Sequence, residues 1–252
     1  MAWRVGRSLL AASLGLLVTS GLFYLAVVLL VRGDWPAEAA RPEGFVGVVF
    51  RLWEIVNVTM ESSAPTCFNA LLWSLLGLTA VAAAALARRR AGWVALAAIA
   101  FLASLDETIA LHERLHELGW PLAQAFGWAV VYAWVLPGVV LAAVVAVALW
   151  PLVRALPTPS RRLILLGGAA FLLGAIVLET VSGQLVSHFG TITWHATLVA
   201  HAEELLEKVG IILAMMGVVR LFSVQWDARG GVRIVFDDPE GERAARQAAA
   251  QR

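Results

Sequence analysis

From residue 8 to residue 31 the chain carries no charged side chain, and that stretch constrains everything that follows it. A transmembrane helix needs roughly 20 mostly apolar residues. Residues 8–31 meet that length, as do 66–87, 92–111, 127–150, 163–187 and 196–222. These stretches are too long and too uninterrupted for barrel strands, which alternate over about 10 residues. The sequence therefore predicts an all-α polytopic membrane bundle over residues 1–222, with six transmembrane helices. A short polar cytoplasmic tail follows over 223–252. Composition points the same way. The chain is 60% hydrophobic and 15% charged, whereas soluble domains are about 45–50% apolar and about 25% charged. One water-bathed core cannot hide that excess, because a folded chain of this size still exposes much of its surface. The single cysteine, Cys67, excludes an internal disulfide framework and any multi-cysteine metal site; it reads as a packing residue.

The spans are punctuated by polar signals. The second stops at Arg88-Arg89-Arg90. The third runs into the polar segment 112–118 and a Gly119-Trp120-Pro121 turn, and Pro151 ends the fourth. Residues 44–60 are apolar but short, and Arg51, Glu54 and Asn57 interrupt them. They read as an interfacial helix packed on the bundle, with an ordinary amphipathic loop helix as the plainer alternative. In the tail, residues 231–236 predict one short strand after a Gly-Gly turn, and 237–252 read as a frayed end. The tail is basic but sparse, so no nucleic-acid partner is expected.

Arginine placement sets the orientation. Arg4 and Arg7 precede the first span, and Arg88, Arg89 and Arg90 follow the second. Arg154, Arg161 and Arg162 lie between the fourth and fifth; Arg220, Arg229, Arg233, Arg243 and Arg246 follow the sixth. Six spans put all of these on one side. Arg32, Arg41, Arg51 and Arg114 fall on the other, among many acids. Both termini are then expected in the cytoplasm, with the chain in a bacterial inner membrane. Ala37-Glu38-Ala39 resembles a cleavage site, but the first apolar run exceeds the roughly 7–15 residues of a signal peptide, so a retained anchor is expected. Trp3, Trp35, Trp53, Trp93, Trp120, Trp150, Trp194 and Trp226 sit near span ends, as interfacial anchors do.

The ionisable residues are not scattered. All five histidines (His112, His116, His188, His195 and His201) lie toward the outer side of this arrangement. With them lie Glu61, Asp106, Glu107, Glu113, Glu117, Glu179, Glu203, Glu204, Glu207 and the single lysine, Lys208. At 1.5 Å per residue, Asp106 lies about 9 Å below His112, Glu179 and Glu204 about 12 Å deep, and Glu207 about 16 Å deep. A charge at bilayer depth costs at least about 2.5–3.5 kcal/mol, so these groups must face each other, water or a cation. Helical phase allows this. In one continuous helix Asp106, Glu113, His116 and Glu117 share an arc of about 100°, while His201, Glu204, Glu207 and Lys208 share about 120°. Glu107 and Glu203 fall off these stripes.

Glu113-x-x-His116 puts a carboxylate and an imidazole on one helix face, as in di-iron helical bundles. His201-x-x-Glu204-x-x-Glu207 offers further donors, and Glu61, His112 and Glu179 complete the candidate ligands: Glu61, His112, Glu113, His116, Glu179, His201 and Glu207. An oxygen- and nitrogen-rich set without thiolate suits a divalent metal such as Zn, Fe or Mn. Solvation of the outer end of a long helix is the plain alternative for residues 112–117, and a proton relay or ion-pair network is a third reading. Glu179 stands alone in an apolar span, where no interface explains it; a structural pair with Lys208 is its bland reading. Glu204 and Lys208 form a favourable i,i+4 pair. His188 and His195 flank a short outer loop that could lid the site.

The pattern resembles that of uncharacterised multi-pass bacterial membrane proteins. It has an acid before a Pro-Thr-x-Phe helix start (Glu61, then Pro65-Thr66-Cys67-Phe68) and Ser-Leu-Asp-Glu-x4-His-Glu from Ser104 to Glu113. A Glu-Glu-x-x-Glu run before a glycine follows (Glu203, Glu204, Glu207, Gly210). The resemblance covers about residues 60–215 and implies no activity. There is a looser similarity to intramembrane ceramidase-like hydrolases, which hold zinc with three histidines and an aspartate near one membrane face. Their His-x3-His pair lies on a late span, whereas His112 and His116 lie on the third, so the likeness is one of chemistry.

The leading expectation is a metal-dependent membrane protein acting on a lipid or other amphiphile at the outer leaflet, with Asp106 and Glu204 moving protons. A proton- or divalent-cation-coupled transporter would use the same acids as a relay. A structural subunit would turn its polar stripe toward a membrane-protein partner or a second copy of itself.

Overall fold

The computed structural model describes residues 2–31, 42–125, 132–189, 193–226 and 231–238. Arg32, Trp35, Ala37-Glu38-Ala39, Arg41, Arg229, Arg243 and Arg246 lie outside the described residues. The fold is all-α. Its helices are α1 (Ala2–Val31), α2 (Gly44–Val56), α3 (Ala64–Leu86), α4 (Ala91–Ile109), α5 (Leu111–Arg114), α6 (His116–Ala125), α7 (Val135–Ala155), α8 (Thr158–Leu172), α9 (Glu179–Phe189) and α10 (Trp194–Val219). A π-helical segment, Leu173–Leu178, joins α8 to α9. Strands β1 (Phe222–Trp226) and β2 (Val232–Phe236) pair antiparallel.

Five helical units are long and apolar enough to cross a membrane: α1, α3, α4, α7 and the continuous Thr158–Phe189 run. Their outward faces are apolar as well. On α7, Val139, Val140, Leu141, Val144 and Val147 are all exposed, Val147 at 75%, which is the surface expected of a helix bathed in hydrocarbon rather than water. The sixth expected span, α10, has the length, but Glu203, Glu204, Glu207 and Lys208 take it out of the strongly apolar class.

Local chemistry explains the helix ends. The Ser63 hydroxyl caps α3 by accepting from the Thr66 amide at 3.4 Å, and Pro65 fits the first turn, where its missing N–H costs nothing. Thr193 caps α10 by accepting from the Ala196 amide. Three expected ends shift. Pro151 lies inside α7 rather than ending it. Gly119-Trp120-Pro121 lies within α6 rather than forming a turn. The third span stops at Ile109, because Ala110 adopts a left-handed conformation, φ 48°. Helices α4, α5 and α6 are therefore separate, and the continuous phase that would align Asp106 with Glu113, His116 and Glu117 is broken.

Helix α10 is the hub. It packs most extensively on α8 and also touches α1, α3, α9 and the π segment, while α3 and α4 form a second tight pair. The α8–α10 contact depends on absent side chains. A Cβ on Gly210 would come 2.6 Å from the Gly167 carbonyl oxygen and 2.7 Å from the Phe171 amide nitrogen, both backbone atoms. Residues 160, 167 and 174 on one side, and 203, 210 and 217 on the other, repeat at seven-residue intervals as Ser, Gly, Gly and Glu, Gly, Gly. Small residues at such spacing let membrane helices approach closely.

The main core cluster includes Leu72, Leu76, Trp93, Leu152, Ile211 and Met215. The tail closes one end of it. Phe236 packs edge-on against Trp93 with ring centroids 5.8 Å apart, and the Arg88 amide donates to Asp238 Oδ2 at 2.9 Å. Residues 231–236 do hold a strand, and its partner β1 begins at Phe222, where the last span was expected to end. Trp93 and Trp53 are buried packing residues rather than interfacial anchors, and Cys67 is exposed rather than packed inside.

Gly210→Ala should destabilise the bundle by about 1–3 kcal/mol, the usual range for overpacking, whereas Gly168→Ala, which meets nothing within 4 Å, should leave it unchanged or slightly firmer. Thermal unfolding of the two variants in detergent, side by side, checks this.

Candidate functional site

The α3–α4 pair is antiparallel, so the turn before α3 and the segment after α4 lie at one end of the bundle. Ser20 of α1 anchors the turn: its hydroxyl accepts from the Val58 amide at 3.4 Å, and the Thr66 hydroxyl donates to the Met60 carbonyl at 3.0 Å. On the other side, Ala110 turns the chain back so that the Asp106 carboxylate takes two hydrogen bonds from one residue. Oδ1 accepts from the His112 amide at 2.6 Å, and Oδ2 lies 3.0 Å from His112 Nδ1. Both turns at this end hold a non-glycine residue at positive φ, Ser62 at 62° and Ala110 at 48°. Such conformations cost about 1–3 kcal/mol each and concentrate where a site needs them.

These turns bring Glu61, His112 and Glu113 together, with one donor atom from each lying within 4.8 Å of the others. Among the described residues this is the group of His, Cys, Asp and Glu donors spaced to hold a metal ion. Asp106 occupies Nδ1 of His112 and leaves Nε2 as the free ring nitrogen. A carboxylate behind an imidazole fixes its tautomer and orientation and strengthens it as a ligand. Glu61 and Glu113 are exposed, and His112 is half-buried against Trp134, with ring centroids 4.8 Å apart.

The electrostatics follow from this crowding. Burial pulls His112 toward neutrality, but the hydrogen bond and charge of Asp106, with Glu61 and Glu107, outweigh it and hold its pKa above the ordinary histidine value. Burial raises Glu61; His112 opposes that, and Glu113, Asp106 and Glu204 add to it. Burial likewise raises Tyr132, reinforced by Glu179, Glu203 and Glu113.

The remaining residues expected at the site stand elsewhere. His116 accepts a hydrogen bond at Nδ1 from the Ala133 amide, 3.3 Å away, and stacks on Trp120, apart from the trio. His195 stacks against Phe189 and Trp194, and His188 lies edge-on to Phe189. Glu179, His201, Glu204 and Glu207 line the bundle interior around α10. Glu179 has Glu203 as an electrostatic neighbour, and the cation Lys208 is taken by Glu204 instead. Lys208, fully buried, pairs with Glu204. Asn69 of α3 donates from Nδ2 to Glu207 Oε2 at 3.4 Å. His201 donates from Nδ1 to the Thr197 carbonyl at 2.7 Å. Glu107 and Glu203, which fall off the two helical stripes, belong to this interior. The electrostatic neighbours of Glu107 are Glu204, Lys208, His112 and Asp106. The π segment packs on α10 beside Glu203. It shifts the register just before Glu179, and Gly174 lets it approach so closely that a Cβ there would meet the Glu203 carbonyl oxygen at 2.9 Å. Asn69 had no signal in the sequence, since an Asn one turn into a span reads as an ordinary polar residue.

Residues 22–221 match the model of a domain of unknown function, DUF8692, and the chain belongs to that family. No curated protein and no solved structure matches it.

Two outcomes follow from this geometry. A histidine whose pKa is raised on folding lends stability that is complete below its unfolded value, about 6.5, and is lost as pH rises through the folded value. The melting temperature should therefore fall as pH rises above about 6.5, and Asp106→Asn should flatten that slope. Removing Lys208 as Lys208→Met should cost about 3–5 kcal/mol by stranding Glu204, and Glu204→Gln in the same chain should recover much of the loss. Denaturant or thermal melts of the single and double variants measure this.

Proposed function

We propose that this family member is an integral protein of the bacterial inner membrane, both termini cytoplasmic, that holds a divalent metal ion on its outer face through Glu61, His112 and Glu113. The observation that carries the reading is the trio itself, with His112 already oriented by Asp106. One imidazole nitrogen and two carboxylates suit Zn, Fe or Mn. Three protein ligands leave positions open for water or substrate, as catalytic rather than closed structural sites do.

A lipid or other amphiphile is the substrate class that suits the surroundings. Glu61 and Glu113 are exposed, and Leu105, Ile109, Leu111 and Leu118 nearby in the chain present large apolar side chains outward. A metal there would lower the pKa of a bound water and polarise an ester, amide or phosphoryl oxygen. Asp106 serves this chemistry by orienting His112. Both of its oxygens are engaged, so moving a proton falls to Glu61 or Glu113.

Protein purified in detergent, loaded with Zn, Mn or Fe and then dialysed, should retain one ion per chain by elemental analysis. His112→Ala and Glu113→Gln should lose it. Asp106→Asn should weaken binding about 10–100-fold, the usual effect of removing an orienting partner. Glu179→Ala and Glu207→Gln should keep it. Folded protein that retains no metal, or metal that survives His112→Ala, overturns the reading.

A further inference from the structure

The contacts between helices fix how deep the outer trio lies. Helices α1 and α10 run antiparallel: Gly6 faces Met216, and a Cβ on Gly21 would lie 3.7 Å from His201 Nε2. Helix α8 is antiparallel to α10 as well, with Ser160 and Ile164 against Gly217 and Gly167 against Gly210. Arg4, Arg7, Arg161, Arg162 and Arg220 therefore stand near one level, on three helices remote in sequence. That level marks the cytoplasmic boundary of the apolar layer.

Heights above it follow from the rise along each helix. Val58, which leads into the Glu61 turn, packs with Leu17 and Ala200 and donates to Ser20. At 1.5 Å per residue, Ser20 lies about 21 Å above Gly6, and Ala200 about 24 Å above Met216. The hydrocarbon layer is about 30 Å thick, so the turn stops about 6–9 Å short of its outer surface. Trp194 marks that surface independently. It lies about 33 Å above Met216 and is exposed, as a tryptophan at the outer interface would be.

Helix α2 follows the same geometry. Phe50 packs with Val27, the Trp53 ring centroid lies 6.1 Å from that of Tyr24, and Val58 meets Ser20. As the number rises along α2, that of its partner on α1 falls. Helix α2 therefore descends beside α1 past the level of Val27, instead of lying along a surface. On its other side Leu52 and Ile55 are apolar and exposed. Arg51 and Glu54 stand near the level of Val27 and Tyr24, within side-chain reach of the headgroups.

Glu61 and Glu113 are exposed at this depth, and so are Leu105, Ile109 and Leu111, close to Glu113 in the chain. A group facing outward there meets the outer leaflet. An exposed carboxylate among acyl chains is costly unless a cation or water holds it. We infer that α2 is a re-entrant helix, and that the Glu61–His112–Glu113 centre opens sideways into the outer leaflet, below the headgroups. The inference rests on the metal reading of the trio and narrows its substrate class. The substrate is a bilayer-resident lipid, engaged at its acyl chain from the ester or amide linkage inward, with its headgroup above the site. A headgroup phosphate and a water-soluble ester both lie on the far side of the boundary.

Spin labels on the full chain in nanodiscs measure the depth. In a Cys67→Ser background, Val18→Cys, Ile55→Cys and Trp194→Cys each place a label at an exposed position. The ratio of collisions with oxygen to collisions with a water-soluble nickel chelate should be highest at position 18, intermediate at 55 and lowest at 194. A label at 55 as open to the chelate as the one at 194 overturns the re-entrant helix and the depth of the site with it; Leu52→Cys takes its place if the Ile55 variant fails to fold. Protein loaded with Mn should also broaden the signal of lipids spin-labelled near the carbonyl end of the acyl chain more than that of headgroup-labelled lipids, and His112→Ala should abolish the difference. Headgroup labels broadened as strongly as chain labels overturn the inference. Failure to retain Mn, seen by elemental analysis, overturns the metal reading instead, and the label at 55 still decides whether α2 is re-entrant.

Discussion

The structure depends on the cost of placing charge inside an apolar bundle. Helix α10 carries three glutamates and a lysine within six residues, and a lipid-facing surface could accept them only at a prohibitive cost. The helix must therefore be surrounded, and it is, by α1, α3, α8, α9 and the π segment. Surrounding it closely needs small residues at the contacts. Gly167, Gly174, Gly210 and Gly217 supply them, each leaving room that a methyl group would fill with backbone or side-chain collisions. The apolar helices then complete the enclosure. Helix α7 has so few demands on it that it buries little and presents a nearly continuous hydrocarbon face.

The same constraint divides the molecule into two chemically different ends. At one end the β1–β2 hairpin seals the core, with Phe236 on Trp93 and Asp238 capping the Arg88 amide beside a run of three arginines. At the other end the turns are open, strained and acidic, and they hold the trio. Strain at Ser62 and Ala110 is tolerated because each turn is tied down, by Ser20 and Thr66 in one case and by Asp106 in the other. The site thus rests on buried helices while its ligands sit on turns that solvent reaches.

The apolar helices were legible in the sequence because uninterrupted apolar length is a strong, local signal. The Glu204–Lys208 pair was legible for the same reason: i,i+4 spacing settles it within one helix. What stayed hidden lies where a helix changes phase. Ala110 carries no sign of a left-handed conformation, since alanine is the best helix former and glycine the usual residue there. The break that separates His116 from His112 and Glu113 is therefore invisible to periodicity. The π segment, Leu173–Leu178, likewise changes the phase of Glu179 in a way that periodicity does not show. Strand β1 was missed because Phe222–Trp226 is short and sits at the start of a stretch that reads as polar tail. Asn69 could be found only through the α3–α10 contact.

Glu107 is the point at which the two ends of the polar system meet. It is one of the charges that hold His112 above its ordinary pKa, and it also neighbours Glu204 and Lys208. A divalent ion among Glu61, His112 and Glu113 would add positive charge beside His112 and so beside Glu107. Through Glu107 the outer trio and the acids around α10 share one electrostatic environment. In a chain whose formal charge is only +1, the near-zero sum conceals a separation of the charges, with arginines beside the sealed end and acids in the open half of the bundle.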